Sequence, residues 1–281
     1  MVDGNLIQSL QARRREHWGQ TPETRTPTPE AASALIERVG IATIFPVSSE
    51  LPNLLHAYVG NDTEQPTSDW DSSSGHVYTW RWELGRKNAA FYSAIARGRP
   101  TLVSWSLLPA VLRLRGDSRT PDELYDTGVL SADAYRIAQA LDEASDPLST
   151  GELRQRAGFP TGKSQRAAYL HGVAELESRL LLAKVFLPGG EGEDMHHALV
   201  SARFKEFASA ADLLSAEGAY DQFLATYLPQ AVYVAPKLLA RHLSLPEKDL
   251  VAALDRLVDS GRATSRSLPG YPTVRYLIPE D

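Results

Sequence analysis

The chain has 281 residues, 43% hydrophobic and 23% charged, with no cysteine; this balance excludes wholesale disorder, a disulfide framework, thiol catalysis and thiolate metal sites. The formal net charge is −6, and Asp plus Glu against Lys plus Arg run 15 to 13 over residues 1–130, 10 to 9 over 131–205 and 10 to 7 over 206–281. No third is basic, so coating of nucleic acid by bulk charge is excluded, whereas a local basic patch on an acidic body is not.

No run reaches the roughly 18–20 apolar residues a membrane span needs. Thr101–Leu112 comes nearest, and Pro109 interrupts it. There is no apolar stretch behind a basic start, so a cytoplasmic location is expected, with no membrane partner. Residues 1–20 form an amphipathic arm containing Arg13, Arg14 and Arg15. Thr28 caps and Pro29 opens a helix that ends at Val39 before Gly40. Ile41–Val47 is predicted as a strand, an edge or terminal one because Pro46 lies in it. Leu51–Val59, Lys87–Ala96 and Leu107–Leu114 are predicted as helices, and Gly60–Gly75 as a polar loop.

The middle third is more regular. A helix over Ala132–Ala144 is followed by Ser149 and Glu152 at capping-box spacing, which opens a short helix to Ala157. Gly158-Phe159-Pro160 turns the chain into a helix over Lys163–Ser178. Leu181–Leu187 and His196–Val200 read as strands around a glycine-rich tip. The last third repeats this order. Helices over Ala219–Leu228 (closed by Pro229), Val234–Leu243 and Glu247–Ser260 precede strands Ala263–Leu268 and Thr273–Ile278. Three helices and a hairpin make a winged helix, and its repetition is a stronger signal than either copy. The expected fold is mainly α with small β hairpins (α+β), built of tandem winged-helix units over residues 1–130, 131–205 and 206–281. Leu170, Val173, Leu254 and Leu257 are expected to be buried in the third helices of their units.

Leu35-Ile-Glu-Arg-Val-Gly-Ile-Ala-Thr-Ile-Phe-Pro-Val47, followed by two winged-helix units, resembles the AlkZ/YcaQ group of bacterial DNA glycosylases. Arg13–Gln20, Thr21–Arg25, Phe91-Tyr-Ser and Gly98-Arg-Pro-Thr-Leu-Val103 are similar to its AlkZ-related branch. The resemblance implies tandem winged helices that act on alkylated or crosslinked bases. It also implies a catalytic Gln, an apolar residue, then Gln or Asp before a proline; here that segment reads Thr43-Ile44-Phe45-Pro46. Hydrolysis of an N-glycosidic bond needs a held water and a group that stabilises positive charge on the sugar. Thr43 can orient water only weakly and Phe45 not at all. The chain therefore departs from the family at both functional positions.

Glu50, five residues past Phe45, is either a relocated carboxylate or an acid favoured by a helix start. Gly162-Lys163-Ser164 lacks the earlier glycine and strand of a phosphate loop. It opens a helix in the position that reads base edges, where Lys163, Ser164, Gln165, Arg166 and Tyr169 suit phosphate and base contact or simply face solvent. Arg13, Arg14 and Arg15, with His17 and Trp18, suit a phosphate backbone and base stacking, or are simply the charged face of an exposed helix. Arg86-Lys87 is a weaker candidate of the same kind. The matching helix of the last unit begins Pro246-Glu-Lys-Asp249, poor for phosphate and better for a protein partner. Adjacent His196 and His197 point to opposite faces of a strand, so no metal and no cofactor are expected. Three readings are open: a binder of double-stranded, possibly damaged or bent DNA without the family's chemistry; a glycosylase with a relocated carboxylate; or a winged-helix scaffold for proteins.

Overall fold

The computed structural model describes residues 2–190 and 194–277. An N-terminal helix, α1 (Val2–His17), precedes the first unit, which comprises α2 (Pro29–Val39), β1 (Ile41–Thr43), α3 (Leu54–Val59), α4 (Ser73–Arg86), β2 (Phe91–Ala96) and β3 (Arg99–Val103). Helices α5 (Leu108–Arg115) and α6 (Pro121–Asp126) lead into the second unit. That unit consists of α7 (Ala132–Asp142), β4 (Leu148–Ser149), α8 (Thr150–Arg156), α9 (Lys163–Ser178), β5 (Leu182–Val185) and β6 (His196–Leu199). After α10 (Val200–Arg203) and α11 (Lys205–Leu213), the third unit comprises α12 (Ala216–Ala231), β7 (Tyr233–Val234), α13 (Pro236–Leu243), α14 (Glu247–Asp259), β8 (Ala263–Leu268) and β9 (Tyr271–Leu277). Each unit runs helix, strand, helix, helix, strand, strand. Each closes an antiparallel three-stranded sheet in which the last strand lies in the middle: β1-β3-β2, β4-β6-β5 and β7-β9-β8. This is the winged-helix order three times over, including in the first third, where the sequence pattern is irregular.

Local chemistry sets the helix starts. The Thr28 hydroxyl accepts from the Ala31 amide at 3.2 Å, and Ser149 and Glu152 form the reciprocal capping box. Several assignments change, and α4, β3, β4 and β7 are elements that the sequence pattern left unassigned. Lys87–Ala96 is not a helix: Phe91–Ala96 is strand β2, paired with β3. Phe91 and Ile95 are spaced like a helical pair, but the positive φ of Arg97 (51°) and Gly98 (71°) makes the tight turn of a hairpin. The strand over Ile41–Val47 stops at Thr43; the Ile44 amide still reaches the Pro100 carbonyl at 3.1 Å, and Pro46, which has no amide, rules out pairing beyond. Pro229 lies inside α12 rather than ending it; only two helical residues follow it, so one missing amide bond is offset by the packing of Tyr227, Leu228 and Ala231.

Among the described residues three cores hold the chain, the smallest joining Ile7 and Leu10 of α1 to Val232, Tyr233 and Val274 of the third unit. Leu124, Ile137, Leu153, Phe159, Tyr169 and Leu176 close the core of the second unit. A larger core is shared by the first and third units, joining Leu35, Ile36 and Leu108 to Phe223, Tyr227 and Leu250. Glycine makes this contact possible. A Cβ on Gly40 would lie 2.7 Å from a Leu107 methyl and 2.8 Å from the Thr226 methyl, so a side chain there would push both aside, and the φ of 79° independently favours glycine. Val173, Leu254 and Leu257 are buried as expected, but Leu170 is 52% exposed. Tyr169, Gly172, Val173 and Leu176 form the inner stripe of α9, and Leu170, one position past Tyr169, is turned about 100° away from it.

Candidate nucleic-acid interface

Thr43 is fully buried, and its hydroxyl donates to the Phe45 carbonyl at 2.8 Å, closing the chain as it leaves β1. Nothing of it is free to hold water. The Phe45 ring stacks on Tyr78, with centroids 6.2 Å apart and planes within 10°. Tyr78 in turn meets the edges of Trp70 and Trp82 at 5.5 and 5.6 Å, and the Arg81 guanidinium lies 3.6 Å over its ring. The segment where the resemblance places a Gln and then a Gln or Asp thus ends in an aromatic stack around Phe45.

Glu50 is not a free carboxylate either. It is completely buried and takes Arg14 Nη1 at 3.2 Å and the Ala235 amide at 3.0 Å. The Arg14 guanidinium also donates to the carbonyls of Ala231 (2.7 Å), Ser49 (2.6 Å) and Tyr233. Its flat face lies 3.5 Å over the Tyr233 ring. Tyr227 donates its hydroxyl to the Glu50 carbonyl at 2.6 Å. Burial is the largest influence on the guanidinium and works against its charge, but the Glu50 carboxylate together with the Tyr227 and Tyr233 hydroxyls outweighs it and holds Arg14 above its ordinary pKa; burial pushes the Tyr227 hydroxyl well up. Arg14 is therefore corrected from DNA contact to an internal tie between α1, the first unit and the third. Glu50 is corrected from a candidate catalytic carboxylate to the partner of that tie. The signal is present in part in the sequence: Ile7, Leu10, Arg14 and Trp18, all buried, follow one another at three and four residues, the stripe of a docked helix. Trp18 is inside too, and not available for stacking on a base.

Arg13 is partly exposed, and Arg15 lies 3.7 Å from Asp62 in an open ion pair. Lys163, Ser164 and Arg166 are exposed on α9 and Gln165 is half-buried. The fifth candidate there, Tyr169, is corrected: it is 2% exposed, its ring meets Phe159 at 5.6 Å, and burial pushes its hydroxyl up to about 12. It is a core residue of the second unit. Helix α1 packs on α12 and β8 and α9 on α7, β2 and β5, so the two basic stretches ride on different units.

The outward face of α9 is free of acid. Glu175 accepts the Ser131 amide at 3.0 Å and its hydroxyl at 2.6 Å, and Glu177 is buried against Lys184 at 2.6 Å. Arg156, at the end of α8, is exposed as well. The equivalent helices differ. In α4, Val77, Trp80, Trp82 and Leu84 are buried, and a Cβ on Gly85 would strike the Phe186 ring of the second unit at 2.1 Å. In α14, Glu247 and Asp249 flank Lys248, and Arg256 is taken by Asp221 at 2.6 Å and Glu217 at 3.2 Å. Arg86 and Lys87 end α4, and Lys87 bonds Glu83 at 2.8 Å.

A cleft of about 390 Å³ opens between α5, α7 and α11, floored by Leu112, Leu180 and Leu199. Its rim carries Asp117, Asp122, Asp142, Glu143 and Asp212 against Arg113 and Arg119, a balance that repels phosphate. The His197 Nε2 lies 3.1 Å from the Thr150 hydroxyl, and burial, with Lys184 and His196 adding to it, pulls its pKa down to about 4. Among the described residues no group of three His, Asp or Glu side chains is placed to hold a metal, and no helix is long and apolar enough to cross a membrane.

Fold and surface together define a mainly helical protein of tandem winged-helix units, one of which presents an open, cationic third helix. Residues 26–211 match the family described as AlkZ related, and the chain belongs to that family. Among solved structures it is similar to the DNA glycosylase AlkZ of Streptomyces sahachiroi, with a TM-score of 0.54 and 16% identity over 94% of this chain and 69% of that one. That likeness is one of fold. No curated protein matches the sequence.

Proposed function

We propose that the chain is a DNA-binding protein related to the repair glycosylases of its family, that it grips duplex DNA through α9, and that it does not excise bases. The acid-free, exposed face of α9, with Lys163 and Arg166 leading it, carries this reading: Lys163 and Arg166 have no carboxylate partner among the described residues, whereas Arg256 of α14 and Lys87 at the end of α4 are paired with acids. The fold likeness to a DNA glycosylase supports the choice of DNA as partner. The loss of chemistry rests on Thr43 and Phe45, whose hydroxyl and ring are both engaged internally. A carboxylate at Glu50 cannot stand in for them while it neutralises Arg14. In this reading the chain divides into units over residues 1–130, 131–205 and 206–281, the second making the contact and the acidic third supporting the first or meeting a protein. The basic face is small, so binding is salt-sensitive and weak on intact duplex; an unpaired or damaged base costs less to extrude and is preferred.

The test is a salt titration of duplex binding. Neutralising Lys163 and Arg166 together should flatten the log–log salt slope by about two units, close to one for each phosphate left without its cation. Neutralising Lys248 should leave it unchanged. Incubation with alkylated duplex should release no base above background. Equal slopes in the two variants, or base release abolished by mutating a residue around Phe45, would overturn the respective half of the proposal.

A further inference from the structure

The side of α9 that faces solvent is not uniformly polar. Ala167, Leu170 and Ala174 are exposed along it at helical spacing, with Lys163 and Arg166 before them and His171 alongside. Leu170 is among the most exposed large apolar side chains of the protein. One exposed leucine is ordinary on a protein surface. Here it is centred between two alanines, on a helix flank that carries cations and no acid, so two chemistries share one strip about 16 Å long: charge at the entrance, methyl groups behind it. A helix of this kind is about 10–12 Å wide, the width of the DNA major groove. Gly162 provides no side-chain cap, so the first amides of α9 are open to a phosphate. Within the major groove the apolar feature on base edges is the 5-methyl group of thymine.

We propose that α9 recognises thymine directly, with Leu170 against the 5-methyl group and Ala167 and Ala174 letting the helix approach the groove floor. The inference rests on the proposed DNA contact and adds to it a base preference read from the duplex. The charge pattern favours DNA over a protein as occupant, because an acidic polymer satisfies Lys163 and Arg166, which have no carboxylate partner among the described residues, while leaving room for methyl contact behind them.

The experiment is fluorescence anisotropy at low salt, with the full chain and a 20-base-pair A·T-rich duplex, against the same duplex with every thymine replaced by deoxyuridine. Removing the methyl should weaken binding about threefold to fivefold per contact, the worth of one buried methyl group. Leu170→Ala should bring thymine and deoxyuridine duplexes to equal affinity with the salt slope kept. Lys163→Ala with Arg166→Ala should lower the slope and keep the thymine preference. Leu170 is on the surface, so its variant should melt with the wild type, and thermal denaturation verifies that. Equal affinity of the wild type for both duplexes overturns thymine recognition and leaves the DNA contact standing. Absence of binding to either duplex overturns both. Loss of self-association in Leu170→Ala, with equal affinities in the wild type, assigns the strip to a second copy of the chain instead.

Discussion

Two basic stretches look alike in the sequence and are opposites in the structure. Arg13-Arg14-Arg15 is the densest run of positive charge, and its middle member is a sealed internal group, 4% exposed, with four oxygen partners and an aromatic ring beneath it. Lys163 and Arg166 are sparser, and they stand in water on a helix whose acids are turned elsewhere. Charge density along a chain does not identify a binding surface. What separates the two regions is the company each cation keeps: carbonyls and a carboxylate around Arg14, solvent and methyl groups around α9.

The sharpest way to break that contrast is to remove the charge at each end. Arg14→Ala strands Glu50 as a buried, unpaired carboxylate, and should cost about 3–5 kcal/mol in chemical denaturation. Replacing Arg14 and Glu50 together by apolar residues of similar size should recover much of this, since a buried pair is itself expensive to desolvate. A loss as small as that of an exposed arginine would show that Arg14 is not internal. Within α9 itself, Leu176→Ala, from the core of the second unit, should cost about 2–5 kcal/mol, while Leu170→Ala on the opposite face should stay within about 0.5 kcal/mol. Similar losses at both positions would mean that the helix is rotated.

A pH-dependent effect lies in the central strand of the second unit's sheet. His197 is neutral in the folded protein, with its pKa near 4 from burial first and from Lys184 next, against about 6.5 when unfolded. Between those values the unfolded chain takes up a proton that the folded chain refuses. Stability is therefore full above about pH 6.5 and falls as pH drops through 4, by about 3 kcal/mol in all. His197→Gln should flatten that part of the pH–stability curve without changing the salt slope of DNA binding. An unaltered curve would remove His197 as the cause. The same variant separates a scaffold defect from a contact defect, which is the distinction between the two basic stretches.

How much of the fold and the site is legible in the sequence depends on the kind of signal. The second and third units announce themselves through caps and turns: Ser149 with Glu152, Gly158, and Gly261 after α14 at φ 75°. Those are local interactions, fixed by residues a few positions apart. The first unit departs from its local pattern between Ser73 and Ala96 because α4 is rich in aromatics and holds two glycines, poor helix formers that are helical here through burial of Trp80 and Trp82. Strand β2 is defined by its partner β3 rather than by its own pattern. At the candidate site, the replacement of both motif positions is visible in Thr43 and Phe45. The fate of Glu50 is not, because its partners Arg14 and Ala235 come from opposite ends of the chain. Tyr169 and Leu170 exchange the roles expected of them for a reason of phase alone: a shift of one residue turns a helix face by about 100°.

The shared core of the first and third units has a consequence for how the chain is made. Leu35, Ile36 and Leu108 find their packing partners in Phe223, Tyr227 and Leu250, which leave the ribosome more than a hundred residues after them. The first unit therefore waits, its apolar surface uncovered, while the second unit, whose core from Leu124 to Leu199 is largely its own, can fold as soon as it emerges. Apolar surface left uncovered over such an interval is of the kind chaperones bind. The bonds from Arg14 to the Ala231 and Tyr233 carbonyls likewise become available only once the third unit has been made.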